Sequence, residues 1–152
     1  MYMHYILESI FVGFYSLSIF LILSHFFQDY SKLLFLTGVF KHFLGYFLQI
    51  HRYYCNHGYA CEDSPSTHIY SGFLTSKSNI TLLAFESILE GFAFLIFGLL
   101  LRHIFTQILG KYNIHNKKEE NVIMIFLLGL SFHLVAEFTG MHTYFCKERC
   151  TV

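Results

Sequence analysis

The chain is 152 residues long, 55% hydrophobic and only 13% charged, with a mean hydropathy of +0.49 and a formal net charge of zero. Soluble domains usually carry about a quarter charged residues, so this composition excludes an ordinary soluble domain. The balanced charge also excludes the basic surface on which nucleic-acid binding depends, so we expect no nucleic-acid partner.

Four long apolar stretches predict four membrane-spanning helices. In chain order they run from Tyr5 to Phe27, Leu33 to His51, Ile80 to Leu101 and Val122 to Phe145. Each approaches the ~20 residues that a helix needs to cross a hydrocarbon core, and none has the polar stripe of a soluble bundle helix. The first stretch carries Glu8, without a basic n-region or a cleavage site, so we expect it to stay as the first helix. The expected fold is an all-α membrane protein with a single integral domain over residues 1–152.

The cysteines suggest how the chain is oriented. Four spans place both termini and the 52–78 connection on one side, together with Cys55, Cys61, Cys146 and Cys150. Because disulfides form in oxidising compartments, we expect both termini to be luminal or extracellular, in the endoplasmic reticulum, the plasma membrane or a viral envelope. Pairing within each half joins Cys55 to Cys61 and Cys146 to Cys150, whereas pairing between equivalent cysteines of the two halves joins Cys55 to Cys146 and Cys61 to Cys150. The sequence does not choose among the three connectivities.

A two-helix unit occurs twice in the chain. FLTGVFKHFLGYFLQIHRYYC (35–55) aligns without a gap on FLLGLSFHLVAEFTGMHTYFC (126–146), and both histidines and the cysteine coincide. The preceding helices also match, with ESIFVGF at 8–14 and ESILEGF at 86–92. We therefore predict two tandem hairpins, 5–61 and 80–150. An even number of spans gives both hairpins the same orientation, related by a pseudo-twofold axis along the membrane normal.

The repeated acids and outer histidines predict a metal site. Glu8 and Glu86 lie near the start of the first helix of each hairpin, and His51 and His142 lie near the end of the second. In antiparallel hairpins these four residues are at the same level, so the pseudo-twofold axis can bring them together from four helices. Carboxylates and imidazoles suit zinc or iron.

The inner histidines predict haem as the alternative cofactor. Nine residues make two and a half turns of a continuous helix, so we expect His42 to point away from His51, and His133 away from His142. His42 and His133 lie on two parallel helices. There they can face each other as the axial ligands of a haem.

A line of ionisable residues predicts an alternative function, proton or cation transport. Glu86, Glu90, His133 and Glu137 lie along the second hairpin, as a conduit through the membrane would require. Because a buried charge in lipid is costly unless it is paired, we also expect Lys41 to pair with Glu90 or Glu137.

A structural role is the remaining alternative. His51 and His142 sit where amphipathic side chains anchor helices at the headgroups, and the repeat can serve packing alone in a membrane or envelope protein.

The chain has no phosphate-binding loop or nucleophile elbow, so no catalytic residue is predicted. It is similar in size to four-helix membrane thiol oxidoreductases but lacks their Cys-x-x-Cys pair, which leaves a redox enzyme as a minority alternative.

Aromatic helices with small residues favour self-association, so the expected partners are the lipid bilayer and further copies of the chain as a homo-oligomer.

Overall fold

The structure is a computed structural model that describes residues 2–58, 61, 77–109 and 117–149. These residues form helices and short turns, with no strand among them, which confirms the all-α prediction. The helices are α1 (Tyr2–Leu23), α2 (Tyr30–Phe47), α3 (Ile50–His57), α4 (Lys77–Leu109), α5 (Lys117–Phe138) and α6 (Met141–Arg149).

Three of these helices are long and apolar enough to cross a membrane. The spans are Tyr5–Leu23 in α1, Ile80–Gln107 in α4 and Glu120–Phe138 in α5. Such helices are consistent with an integral membrane protein. Helix α2, expected as part of a fourth span, is not among them, because Lys32, Lys41 and His42 make its 18 residues less apolar than the spans of the other three helices.

Two of the predicted spans are interrupted by turns. The predicted span 33–51 divides into α2 and α3, with Gln49 in the left-handed conformation at φ 57°. The predicted span 122–145 divides into α5 and α6 at Gly140, whose φ is 74°. Glycine adopts positive φ at little cost, which explains the second break. The prediction of continuous helices through these two positions was therefore wrong.

The four long helices pack as a ring. The most extensive contacts join α1 to α5 and α2 to α4, and further contacts join α1 to α2 and α4 to α5. Glycines allow the close approaches: a Cβ at Gly38 would lie 2.6 Å from the Glu90 carbonyl oxygen, and a Cβ at Gly129 would lie 3.0 Å from the Val12 carbonyl oxygen. Small residues at these points bring the backbones of neighbouring helices together.

The bundle is apolar outside and contains polar groups inside. Phe14, Ile22 and Ile96 are 57%, 63% and 62% exposed on the outer surface. In contrast, Ser16 and Thr37 are fully buried, and their hydroxyls donate to backbone carbonyls one turn earlier. An apolar outer surface of this kind is what lipid contact favours. The interior core consists of Phe20, Leu33, Leu34, Phe94, Ile125 and Leu128.

A disulfide fastens the two short helices at one end of the bundle. It joins Cys61, just after α3, to Cys146 in α6, across 85 residues, with a Cα–Cα distance of 5.3 Å. This bond belongs to the third of the three connectivities that the sequence left open, and the turns before α3 and α6 bring the end of α3 beside α6. Cys55 is also disulfide-bonded, and Cys150 lies outside the described residues. The bond still links one half of the chain to the other.

Candidate metal centre

The turns before α3 and α6 fold the outer histidine of each pair back towards the inner one. The rings of His42 and His51 have centroids 5.2 Å apart, and those of His133 and His142 have centroids 4.5 Å apart. The prediction that each pair points apart was wrong, because it assumed a continuous helix. Each half of the chain therefore has two neighbouring imidazoles at the same end of the bundle.

Three side chains at the end of α5 form a compact group, named here the α5 cluster: His133, Glu137 and His142. Their ligand atoms all lie within 4.8 Å of one another. Glu137 Oε1 is 2.7 Å from His142 Nδ1 and 3.8 Å from His133 Nε2. Metal–ligand bonds of ~2.0–2.1 Å place neighbouring ligand atoms ~3.3 Å apart around a tetrahedral ion. The α5 cluster can therefore hold a small transition-metal ion.

Two further residues surround the α5 cluster. Glu8 Oε2 on α1 lies 3.4 Å from His133 Nε2, and the Tyr54 hydroxyl on α3 donates to Glu137 Oε1 over 2.7 Å. Burial, followed by this hydrogen bond, raises the pKa of Tyr54, so its hydroxyl stays a donor. Burial and the neighbouring His133 lower the pKa of His142. A neutral imidazole is the form that binds metal.

Among the side chains that the structure describes, which do not include Arg52 or Lys147, the Glu137 carboxylate has no ammonium or guanidinium partner. The side chains that meet its carboxylate are Tyr54, His133 and His142. Its side chain is only 7% exposed. A buried carboxylate is costly unless a positive charge compensates it. A bound cation in the α5 cluster would supply that charge.

The other half of the chain contains a similar group built around a lysine. This α2–α4 cluster comprises Lys41, His42, Glu86 and Glu90. The Lys41 ammonium pairs with Glu90, one of the two partners predicted from the sequence. His42 Nδ1 lies 2.8 Å from Glu90 Oε2, and His42 Nε2 lies 3.4 Å from Glu86 Oε2. Carboxylates and imidazole here surround a positive charge that the protein itself provides.

The four residues predicted to share one metal site are divided between these clusters. Glu8 and His142 lie at the α5 cluster, whereas Glu86 and His51 lie at the α2–α4 cluster. The ring of His51 fits there because Gly45 has no side chain: a Cβ would lie 2.8 Å from His51 Cε1.

Both clusters line one cavity of about 450 Å³ in which all six helices take part. The predicted haem ligands, His42 and His133, face this cavity from different clusters. The predicted conduit residues are divided in the same way, with Glu86 and Glu90 in one cluster and Glu137 in the other.

Two features of the site were not predicted from the sequence: the contact of Tyr54 with Glu137, and the pairing of His133 with Glu137 in a group that could hold a metal ion. The second omission had a detectable signal, because residues four apart share one face of a helix. No comparable signal marked Tyr54, since its contact with Glu137 spans 83 residues. No protein-family model, curated protein or solved structure matches the chain.

Proposed function

We propose that the chain is an integral membrane protein that binds one transition-metal ion, zinc or iron, in the α5 cluster. His133, Glu137 and His142 are its ligands, and Glu8 supplies a fourth. The observation that carries the proposal is the buried Glu137 carboxylate held between two imidazoles, with no lysine or arginine partner among the side chains that the structure describes. The 3.4 Å between Glu8 Oε2 and His133 Nε2 also matches the spacing of two ligands on one ion.

The proposal includes the duplicated architecture, with hairpins 5–61 and 80–150 and α2 as the fourth span. Equivalent contacts support it: Glu8 lies 3.4 Å from His133, and Glu86 lies 3.4 Å from His42. The repeat alignment pairs both the two acids and the two histidines. The helix contacts agree as well, because exchanging the hairpins turns the α1–α5 interface into the α4–α2 interface.

One difference between the repeats favours a single ion per chain. Lys41 in the first repeat aligns with Phe132 in the second. The Lys41 ammonium already compensates Glu90 in the α2–α4 cluster. A divalent cation there would have to displace a bonded ammonium, so we expect metal in the α5 cluster alone.

The compartment is part of the same proposal. The Cys61–Cys146 disulfide supports placing the end of the bundle that carries α3 and α6, together with both termini, on a luminal or extracellular side. The lipid bilayer is then a partner along the outer surface. Self-association of the aromatic helices into a homo-oligomer is a further expectation, which cross-linking in membranes would test.

Elemental analysis of the detergent-purified full chain, expressed with zinc and iron supplied, tests the proposal. We expect about one equivalent of metal per chain, lost in His142→Ala and retained in His51→Ala. These two histidines are matched, since each follows the turn into a short helix and packs on an inner histidine. Wild-type protein without metal, or equal loss from both variants, would contradict the assignment to the α5 cluster.

A visible absorption spectrum of the same samples separates the cofactors. Iron with a Soret band that disappears in both His42→Ala and His133→Ala would replace the proposed site by a haem. Zinc, or iron without that band, supports the α5 cluster.

Proton or cation transport is the second candidate function. The observation that favours it is the single cavity lined by ionisable residues of both clusters, among them Lys41, Glu90 and His133. Proteoliposomes containing wild-type protein should then show a pH-dependent flux that Glu90→Gln alters. Equal flux in wild-type and empty liposomes would exclude transport, and a chain that tolerates both His142→Ala and Glu90→Gln would fit a structural protein.

A further inference from the structure

The end of the bundle that carries the α5 cluster is built from two short helices. Helix α6 supplies His142 to the cluster, and α3 supplies the Tyr54 hydroxyl that donates to Glu137. These helices have only nine and eight residues, and an isolated helix shorter than about 12–15 residues is marginally stable in water. The position of His142 therefore depends on the contacts that hold α6 against the bundle.

A glycine gives α6 a hinge at its start. Gly140 has a φ of 74°, and glycine adopts both signs of φ at little cost. A Cβ built on Gly140 would meet no described atom within 4 Å outside the glycine and its chain neighbours. Packing does not fix the backbone at this point, so α6 must be held in place further along the chain.

The Cys61–Cys146 disulfide fastens the other end of α6. Cys146 follows His142 by four residues, so the two side chains lie on the same face of the helix, one turn apart. Cys61 comes just after α3, which carries Tyr54. The rings of Tyr54 and His142 have centroids 5.1 Å apart, and both side chains bond to the Glu137 carboxylate. One covalent bond thus keeps α3 and α6 closed over the α5 cluster.

Ring contacts also join α3 to α6. The centroid of the Phe145 ring lies 5.7 Å from that of His51 and 6.3 Å from that of Tyr54. Such contacts are individually weak, whereas the disulfide closes a loop across 85 residues and removes many open conformations of the chain. We therefore expect the covalent bond, rather than the rings, to decide whether α6 stays closed.

We propose that the Cys61–Cys146 disulfide is a redox switch for the metal site: the oxidised chain binds the ion, and reduction of this bond frees α6 and withdraws His142. The inference rests on the metal binding proposed above for the α5 cluster. The reduced chain keeps His133 and Glu137 on α5 and loses the ligand on α6. Mutation of residues that merely orient metal ligands costs about 10–100-fold in affinity, so withdrawal of a ligand should cost at least about tenfold.

A dithiol is the chemical class of reductant that operates this switch. Its thiolate attacks one sulfur of the disulfide, and its second thiol resolves the mixed disulfide. The S–S bond breaks, Cys61 and Cys146 each gain one electron and one proton to become thiols, and the dithiol becomes a disulfide. Cys146 is only 1% exposed, so attack requires α6 to move away first. A bound ion that holds His142 should oppose this movement, because coupling between two sites is reciprocal.

The affinity of the full chain for zinc and for iron(II) in detergent tests the switch. The wild type, with its disulfides intact, is compared with Cys61→Ser/Cys146→Ser in competition with a chromophoric chelator at pH 7. Serine is chosen because free thiolates would bind these metals themselves. The double variant should bind the metal at least about tenfold more weakly than the wild type.

Two further variants separate the switch from a general loss of stability. Gly38→Ala strains the contact between α2 and α4 without changing the disulfide, and it should bind the metal as the wild type does. In His142→Ala, replacing Cys61 and Cys146 by Ser should cause less than about a twofold further loss, because the ligand that the bond positions is already absent. Melting curves verify that each variant is folded.

The reverse effect is measured without the serine variant, so the test does not depend on the folding of that variant. The disulfide is reduced with a phosphine, because dithiols bind these metals, and mass spectrometry follows the alkylation of Cys146. Saturating metal should slow the reduction at least about tenfold in the wild type. The same metal concentration should leave the rate in His142→Ala unchanged.

The possible failures are distinguishable. A wild-type chain that binds neither zinc nor iron(II) would contradict the proposed metal site, and the switch with it. Equal metal affinity in the wild type and the serine variant, or equal rates of reduction with and without metal, would overturn the switch and leave the metal site in place. If Gly38→Ala weakened binding as much as the serine variant does, binding would follow global stability, and the switch would also be overturned.

Discussion

The ion pair between Lys41 and Glu90 should show strong energetic coupling. Their side chains are only 16% and 18% exposed, and Glu90 also lies 2.8 Å from His42 Nδ1. Removing one partner of a buried pair typically costs ~3–5 kcal/mol, because the other charge is left uncompensated, whereas replacing both is often nearly neutral. We expect Lys41→Met to cost about 3 kcal/mol and Glu90→Gln somewhat more, since Glu90→Gln strips a partner from both Lys41 and His42. The double variant should cost about 1 kcal/mol or less.

A double-mutant cycle measures this coupling. Unfolding is followed by tyrosine fluorescence, since the chain has no tryptophan, during titration of detergent micelles with a denaturing detergent. A chelator is present throughout, so that metal binding does not contribute to the measured stability. With these costs, the four free energies of unfolding should give a coupling of roughly 5 kcal/mol or more. Costs that simply add, with a coupling below about 0.5 kcal/mol, would mean that water or lipid headgroups solvate both charges and that the pair is not buried as described.

Three further predictions concern the disulfide, a helix contact and pH. Replacing Cys61 and Cys146 together by Ser should lower the free energy of unfolding by up to about 4–5 kcal/mol, since the bond closes a loop across 85 residues; melting curves that match the wild type would contradict this. Gly38→Ala should cost about 1–3 kcal/mol, because its Cβ would lie 2.6 Å from the Glu90 carbonyl oxygen, and an unchanged melting temperature would show that α2 can move away from α4. The pKa of His51 is lowered to about 4, so between about pH 6.5 and pH 4 the unfolded chain binds the proton more readily and stability falls as the pH drops, by roughly 3 kcal/mol at most. Melts of His51→Asn across this range should lack that part of the slope, and a slope equal to that of the wild type would show that His51 titrates normally.

The four apolar stretches were sufficient to predict an all-α chain, although not the turns that divide two of them, because hydropathy depends on local composition alone. The pairing of Lys41 with either Glu90 or Glu137 was predictable, since a lysine in the middle of an apolar helix needs an acid and the second repeat offers these two; the structure pairs it with Glu90. The spacing of His133 and Glu137 placed both on one helix face, but the sequence pattern predicted an ion pathway for both and haem ligation for His133, not one metal site. These features depend on residues close in sequence or on the general cost of burying charge.

The course of the chain at Gln49 could not be read from its sequence. A left-handed glutamine is locally unfavourable, and it is compensated by packing of α3 over the end of the bundle, which no local pattern reveals. The Tyr54–Glu137 hydrogen bond and the Cys61–Cys146 disulfide follow from that packing. The sequence by itself determined that the chain is helical and which charges need partners, because composition and periodicity act locally. Only the tertiary structure decided which histidine meets which acid, because two turns reverse the outer histidines and contacts between distant segments hold them there.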